Sequence, residues 1–457
     1  MRSFAFMTAL AAAGVSAGPT ATDKELPARA DSLPTVTASG NAFYAGDTRF
    51  YLKGIDYQPG GSSKNLDPLS DTSICGRDIP KFKELGVNTV RVYSVDNSAD
   101  HTECMQQLKD AGIYLVLDVN SPKYSIRRDK PGPSYNADYL QSVFATIDEF
   151  AQYDNTLAFF SGNEVINNDA GSTKTAPFVK ATTRDMRQYI VERGYRKIPV
   201  GYSAADVSDT RMQTAQYFNC GSEFERSDFF AFNDYSWCSP SSFSTSGWDA
   251  KVKNFTGYGI PIFLSEWGCI TNGRDFSEMG ALMSDDMSAV YSGGLMYEYS
   301  LEENNYGIVK IDGDSVEEQP EFSKMAAAYK KYTTPTGSGG ASQTSNSVEC
   351  PTTDDTWDLG DWGSSALPAM PDDAVKFLSD GAGDGPGLTG PGSQTSGTEE
   401  HETAEANAGS PTATAASGSS PSDSEGAGVR GVPPVDGAVF VISGLVTMFT
   451  IAGTMLL

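Results

Sequence analysis

Two glutamates stand at the ends of short apolar runs: Glu164 closes Ala158-Phe159-Phe160-Ser161-Gly162-Asn163-Glu164, and Glu266 lies late in Pro261-Ile262-Phe263-Leu264-Ser265-Glu266-Trp267-Gly268. Apolar runs this short and rich in Phe, Ile and Leu read as buried parallel strands. A carboxylate at the carboxyl end of such a strand lies where an α/β barrel places its chemistry. Two of them on different strands are what acetal cleavage requires: one protonates the leaving oxygen, and the other attacks the anomeric carbon from ~5–5.5 Å away if configuration is retained. Asn163 refines the roles, because an amide beside the acid/base can hold a sugar 2-hydroxyl as the transition state forms. Glu164 is then the acid/base and Glu266, by elimination, the nucleophile. Tyr297 or Tyr235, both near strand ends, is placed to hydrogen-bond Glu266 and keep it ionised. A histidine triad or a metal centre has little to build on, since the only histidines are His101 and His401 and no CxxC occurs. No metal and no cofactor are expected.

Elements to carry these residues are legible between Leu33 and Tyr332. Strand-like runs occur at 50–57, 89–93, 114–119, 157–161, 198–202, 229–232, 260–264 and 295–299. Helical patterns lie between them at 79–85, 104–111, 137–152, 176–193 and 278–291. Eight strands alternating with helices predict an α/β fold, a (β/α)8 TIM barrel. A doubly wound sheet fits less well, as neither a GxGxxG turn nor a Walker loop is present. Tyr202 and Tyr299 read as core, and His101 as a solvated residue near a helix start.

Both ends of the chain carry processing signals. Residues 1–17, with Arg2, an apolar stretch and the small exit Val15-Ser16-Ala17, read as a secretory signal peptide. At the other end, 438–457 is uncharged and follows a polar spacer and the triplet Gly426-Ala427-Gly428, the layout of a glycolipid (GPI) anchor signal. A true membrane helix is the alternative. The expected organisation is therefore a signal peptide (1–17), a catalytic barrel (18–335), an extension tied to it by a disulfide (336–377), a disordered Ser/Thr/Pro-rich stalk (378–426) and an anchor propeptide (427–457) attached at Gly426. Net charge is −26, with sixteen acidic residues from Gly337 onward against Lys376 and Arg430. That balance repels nucleic acid and anionic polymers but is indifferent to a neutral polysaccharide. Six cysteines in a secreted chain imply three disulfides, and spacing alone leaves all fifteen pairings open. Asn254-Phe255-Thr256 is a glycosylation sequon.

With these segments in order, the chain resembles the fungal β-1,3-glucanosyltransferases of glycoside hydrolase family 72. The resemblance rests on Phe50-Tyr51-Leu52-Lys53-Gly54-Ile55-Asp56-Tyr57-Gln58-Pro59-Gly60-Gly61, Asn88-Thr89-Val90-Arg91-Val92-Tyr93, Tyr114-Leu115-Val116-Leu117-Asp118-Val119, Gly162-Asn163-Glu164, Asn233-Asp234-Tyr235-Ser236-Trp237-Cys238 and Ser265-Glu266-Trp267-Gly268-Cys269. It implies Glu164 as acid/base, Glu266 as nucleophile, and a glucan cleft lined by Gln58, Tyr93, Asp118, Asn163, Tyr235, Tyr297 and Tyr306. Trp267 stands where many relatives carry Tyr, which removes a phenol hydroxyl. The implied disulfides are Cys75–Cys104, Cys220–Cys350 and Cys238–Cys269. The implied partners are β-1,3-glucan donor and acceptor chains and the plasma membrane through a GPI lipid. The protein is expected as a monomer without the cysteine-rich carbohydrate-binding module of some relatives.

Overall fold

Period-two alternation within each apolar run lets one set of side chains fill a barrel interior while the other meets the surrounding helices. In the computed structural model, which describes residues 33–404 apart from Ser63, eight parallel strands close such a barrel. They are β1 (Leu52–Tyr57), β2 (Thr89–Val92), β3 (Tyr114–Asp118), β4 (Thr156–Asn163), β5 (Val200–Ala205), β6 (Phe229–Asn233), β7 (Ile262–Trp267) and β8 (Tyr291–Met296). Each pairs with its neighbours in sequence, and β8 closes the ring on β1. The outer helices are α1 (Thr72–Leu85), α2 (Thr102–Asp110), α3 (Ala137–Phe150), α4 (Ala176–Glu192), α5 (Arg211–Phe218), α6 (Trp248–Phe255), α7 (Glu278–Leu282) and α8 (Pro320–Lys331). Their starts follow local chemistry: Asp71 accepts from the Ser73 amide ahead of α1, and Asn136 from the Tyr139 amide ahead of α3.

The interior is packed in layers. Tyr114, Val116, Ala158, Phe160, Phe229, Ala231, Phe263 and Leu295 form one buried cluster inside the ring. A three-stranded hairpin sheet (Val36–Ser39, Ala42–Ala45, Thr48–Phe50) precedes β1 and inserts Phe43 into that cluster, 5.9 Å from the rings of both Phe229 and Phe263. The expected run 50–57 begins two residues ahead of β1, and the hairpin sheet before it was not expected. The alternation is the same on either side of Tyr51, so hydropathy does not mark the break.

The last strand lies earlier than expected, at Tyr291–Met296 rather than 295–299, and the helix expected over 278–291 is two short turns, Glu278–Leu282 and Asp285–Ser288. The cause is Gly293-Gly294, which looks unlike a strand but permits close packing. A Cβ on Gly293 would lie 2.1 Å from the Leu52 carbonyl oxygen.

Three disulfides join Cys75–Cys104, Cys220–Cys350 and Cys238–Cys269, the pairs the resemblance implies. Cys75 on α1 meets Cys104 on α2, while Cys350 ties the segment after α8 back to the end of α5. Trp357 is buried there against Tyr217, and Trp362 packs edge-on against Phe178.

Residues 378–404 correct the expectation of a disordered stalk starting at 378. Helix α9 (Asp372–Asp380) lies against α3 and α4, with Phe377 near Phe144. The chain after it stays on the barrel through main-chain hydrogen bonds with Tyr189, Asn97, Lys123 and Pro133. Its composition offers no apolar periodicity, but backbone groups need none to bond. The expected signal peptide, the rest of the expected stalk, Gly426 and the expected anchor propeptide fall in residues 1–32 and 405–457, outside the described residues.

His101 is a second correction. It is fully buried, with Nε2 2.7 Å from Asp67 and Nδ1 3.0 Å from Glu149. Burial works against its charge, but these two carboxylates outweigh it and hold the imidazole pKa up to about 9. Tyr202 and Tyr299 are buried, as expected of core residues.

Candidate active site

The alternation that fills the barrel also sets what crowns it. One step above Phe160, the inward column of β2 presents Arg91, whose guanidinium lies 4.5 Å from the Phe160 ring centroid and 4.2 Å from that of Tyr93. Arg91 is wholly buried and forms a two-point contact with Asp118, from Nε at 2.8 Å and Nη2 at 3.1 Å. Its remaining nitrogen reaches Oε1 of Glu266 at 3.3 Å. A buried guanidinium with two carboxylates and two aromatic faces is a compensated charge and a rigid platform.

Glu266 rests on that platform. Tyr93 donates its hydroxyl to Oε1 at 2.9 Å and Tyr235 donates to Oε2 at 2.7 Å. Burial pushes the carboxyl of Glu266 upward; Arg91 pulls it down, neighbouring Glu164 pushes it up, and the two phenols favour the ionised form. Around it the tyrosine rings interlock: Tyr297 lies 6.4 Å from Tyr93, 6.3 Å from Tyr235 and 5.3 Å from Tyr306. Tyr297 does not bond Glu266 in this arrangement. It receives a hydrogen bond from the Asn304 amide instead.

Glu164 follows directly on β4, with φ at +50°. A non-glycine residue there costs about 1–3 kcal/mol and persists only where its surroundings fix it. Here the Glu164 amide donates to the Ser203 carbonyl at 2.9 Å, and Arg128 donates to the Glu164 carbonyl at 2.9 Å. Its carboxylate accepts from the Asn233 amide at 2.8 Å. Asn163 turns its carbonyl oxygen to Ser203 Oγ and to the same Asn233 amide. That leaves its own NH2 without a protein partner among the described residues.

Gln58, Tyr93, Asp118 and Asn163 line one cavity of about 520 Å³ along the barrel's carboxyl face, within the range of ligand sites. Of the expected cleft residues, Gln58, Tyr93, Asp118 and Asn163 share this cavity, of which neither Glu164 nor Glu266 is a lining residue; Tyr235 bonds Glu266 and packs edge-on with Tyr297 and Tyr306. Asp118 is present, but both its oxygens are engaged by Arg91. Trp267 faces away from the cleft, buried beside Phe276 at 6.2 Å, so the phenol it replaces would sit in packing. Asn254 is exposed near the end of α6.

Sequence reasoning missed Arg91, Asn233, Asp56 and Glu298. The signal for Arg91 was available, a charge in the middle of an apolar strand. Asp56, near the end of β1, is fully buried with no hydrogen-bond partner for either oxygen among the described residues, and burial drives its carboxyl well upward, opposed by Arg91. Burial likewise pushes Glu298 up to about 7.

A parallel barrel with an Asn-Glu pair ending β4 and a glutamate near the end of β7 defines a carbohydrate-active enzyme of the glycoside hydrolase kind. The chain belongs to glycoside hydrolase family 72, whose family model, described as Glucanosyltransferase, matches residues 25–333. It is 60% identical over 381 residues to the 1,3-beta-glucanosyltransferase gel1 of Aspergillus fumigatus, covering 83% of each chain. It is 53% identical over 358 residues to the 1,3-beta-glucanosyltransferase GAS5 of Saccharomyces cerevisiae, covering 77% of this chain and 73% of that one. Its fold matches the structure of Saccharomyces cerevisiae Gas2p in complex with laminaritriose and laminaritetraose, with a TM-score of 0.68 and 39% identity over 74% of this chain and 78% of that one.

Proposed function

We propose that this chain is a retaining β-1,3-glucanosyltransferase that cuts β-1,3-glucan internally and rejoins the new reducing end to the non-reducing end of another chain. The observation that carries the reading is the hydrogen-bonding of Glu266 by Tyr93, Tyr235 and Arg91 opposite an Asn233-bound Glu164, in a family 72 barrel. Glu164 protonates the glycosidic oxygen while a carboxylate oxygen of Glu266 attacks the anomeric carbon. The leaving chain departs as an alcohol, and a glycosyl ester remains on Glu266. Glu164, now a base, takes the proton from an acceptor hydroxyl, which displaces Glu266 and forms the new β-1,3 bond. The free NH2 of Asn163 suits a sugar 2-hydroxyl at the scissile unit. Gln58 and Asp118, the latter held by the buried Arg91, wall the cleft, and the tyrosine ring offers stacking faces.

Incubation with a reduced laminari-oligosaccharide tests the reading. Products longer than the substrate are expected, whereas only shorter ones would indicate a hydrolase. The uncharged tail and the small triplet at Gly426 support a protein held at the outer face of the plasma membrane by a GPI lipid. Phosphatidylinositol-specific phospholipase C should release it in active form, and retention of peptide 438–457 in the mature chain would refute that anchor.

A further inference from the structure

The chain beyond α9 does more than rest on the barrel. It leaves α9 over α3, where Gln141 donates to the carbonyls of Ala382 and Asp384 at 3.0 and 2.7 Å. It then climbs to the cleft face, where the Gly387 amide donates to Asn97 at 2.9 Å. There it runs beside the loop after β3: Lys123 donates to the Gly390 carbonyl at 2.9 Å, the Ser393 amide to the Lys123 carbonyl at 3.0 Å, and Asn136 to the Ser393 carbonyl at 2.7 Å. It returns down the barrel side to form an isolated bridge, Thr403 to Pro368. The fit is close, since a Cβ on Gly390 would lie 2.3 Å from the Tyr124 hydroxyl. A glycine-rich stretch that reads as spacer is here a tailored strap.

At the top of this path Gln394 lines the same cavity as Gln58, Tyr93, Asp118 and Asn163. Its NH2 is committed, donating to the Pro122 carbonyl at 3.0 Å and to Ser125 Oγ at 2.6 Å. Those two acceptors fix which way the amide faces. Its carbonyl oxygen has no protein partner among the described residues. The cavity at this end is otherwise walled by the loop after β3, including Arg127 and Asp129.

We propose that the strap over residues 383–397 is a wall of the glucan cleft, and that Gln394 Oε1 accepts a hydroxyl from a glucosyl unit bound beside the loop after β3, away from the scissile bond. This rests on the β-1,3-glucan reading above. The ligand chemistry is a neutral polyol: an oriented amide oxygen recognises a hydroxyl, and the neighbouring Arg127 and Asp129 are paired with each other. The barrel would then draw part of its grip on the glucan from the segment that follows it.

The test uses the full chain made catalytically silent by Glu164→Gln, titrated with a ladder of laminari-oligosaccharides of increasing length. In the parent, affinity should step up when one added glucosyl unit reaches the strap. Gln394→Ala should abolish that step, weakening the longer ligands about three- to tenfold, the worth of one hydrogen bond, and leaving shorter ones unchanged. Gly390→Val, which lifts the strap without altering a cleft side chain, should remove the same step. An unaltered ladder in both variants would overturn the proposal, as would equal weakening at every length, which would make the strap only a brace for the loop. If the parent binds none of the ladder, the glucan reading itself fails, a result distinct from either.

Discussion

Tyr235→Phe isolates one hydrogen bond to Glu266, the proposed nucleophile, and should move the pH at which the enzyme acquires activity. Glu266 must be ionised to attack, yet burial and Glu164 push its carboxyl upward. The Tyr235 hydroxyl opposes that shift through a 2.7 Å bond to Oε2. A hydrogen bond to a charged group contributes about 1.5–3 kcal/mol, and one pKa unit corresponds to about 1.4 kcal/mol. Removing the phenol should therefore raise the Glu266 pKa by about one to two units and move the acid limb of kcat/KM up by the same amount. Below that limb the variant should lose about ten- to hundredfold in rate, and well above it much less. Because Tyr93 binds the other oxygen at 2.9 Å, Tyr93→Phe should act in the same direction, and the double variant should not be additive. The assay is the pH dependence of kcat/KM for a reduced laminari-oligosaccharide, with circular dichroism as a control for folding. A loss that is uniform across pH, with the acid limb unmoved, would refute the argument and make Tyr235 a steric wall.

Three further outcomes follow from the same geometry. Glu164→Gln and Glu266→Gln should each lower turnover by at least about 10²–10⁴-fold while melting within a few degrees of the parent; an active Glu266→Gln enzyme would remove it as nucleophile. Replacing Cys220 and Cys350 by Ala opens a link across 130 residues, for which loop entropy predicts a loss of about 5 kcal/mol, read as a lower urea midpoint with a steeper slope, because the unfolded chain is no longer held compact. For His101 the folded pKa is about 9 against an ordinary 6.5, so its stabilising contribution is complete below about pH 6.5 and disappears as pH rises through 9. The urea midpoints of the parent and His101→Gln should accordingly converge between pH 6 and 9.5, and a constant gap would mean that His101 is not charged.

How much of this was legible depended on whether the information was local. A strand-end glutamate alone is more often half of a structural ion pair; Glu164 and Glu266 were visible because Asn163-Glu164 and Ser265-Glu266-Trp267-Gly268 both close apolar runs within one alternating eight-strand pattern. The start of β8 was not, because Gly293 is placed by the approach of Leu52 on the adjacent β1, where first and last strands meet to close the ring. The burial of His101 was hidden for a similar reason: its partners Asp67 and Glu149 lie 34 and 48 residues away along the chain. The strap was the least visible, since its contacts are made largely by the backbone of a glycine- and serine-rich stretch, and composition reports only what side chains can bury.

The left-handed backbone of Glu164 sets the enzyme's durability against its activity. At φ +50° a side chain costs about 1–2 kcal/mol that glycine does not incur, so Glu164→Gly should hold or raise the melting temperature while abolishing turnover. Selection for heat resistance alone would find residue 164 an easy gain, and mutagenesis libraries screened only for soluble, thermostable protein should accumulate Gly or Asn there. An engineering campaign on this barrel therefore needs an activity screen in every round, because the proposed acid/base is held in a conformation that unselected sequences would abandon.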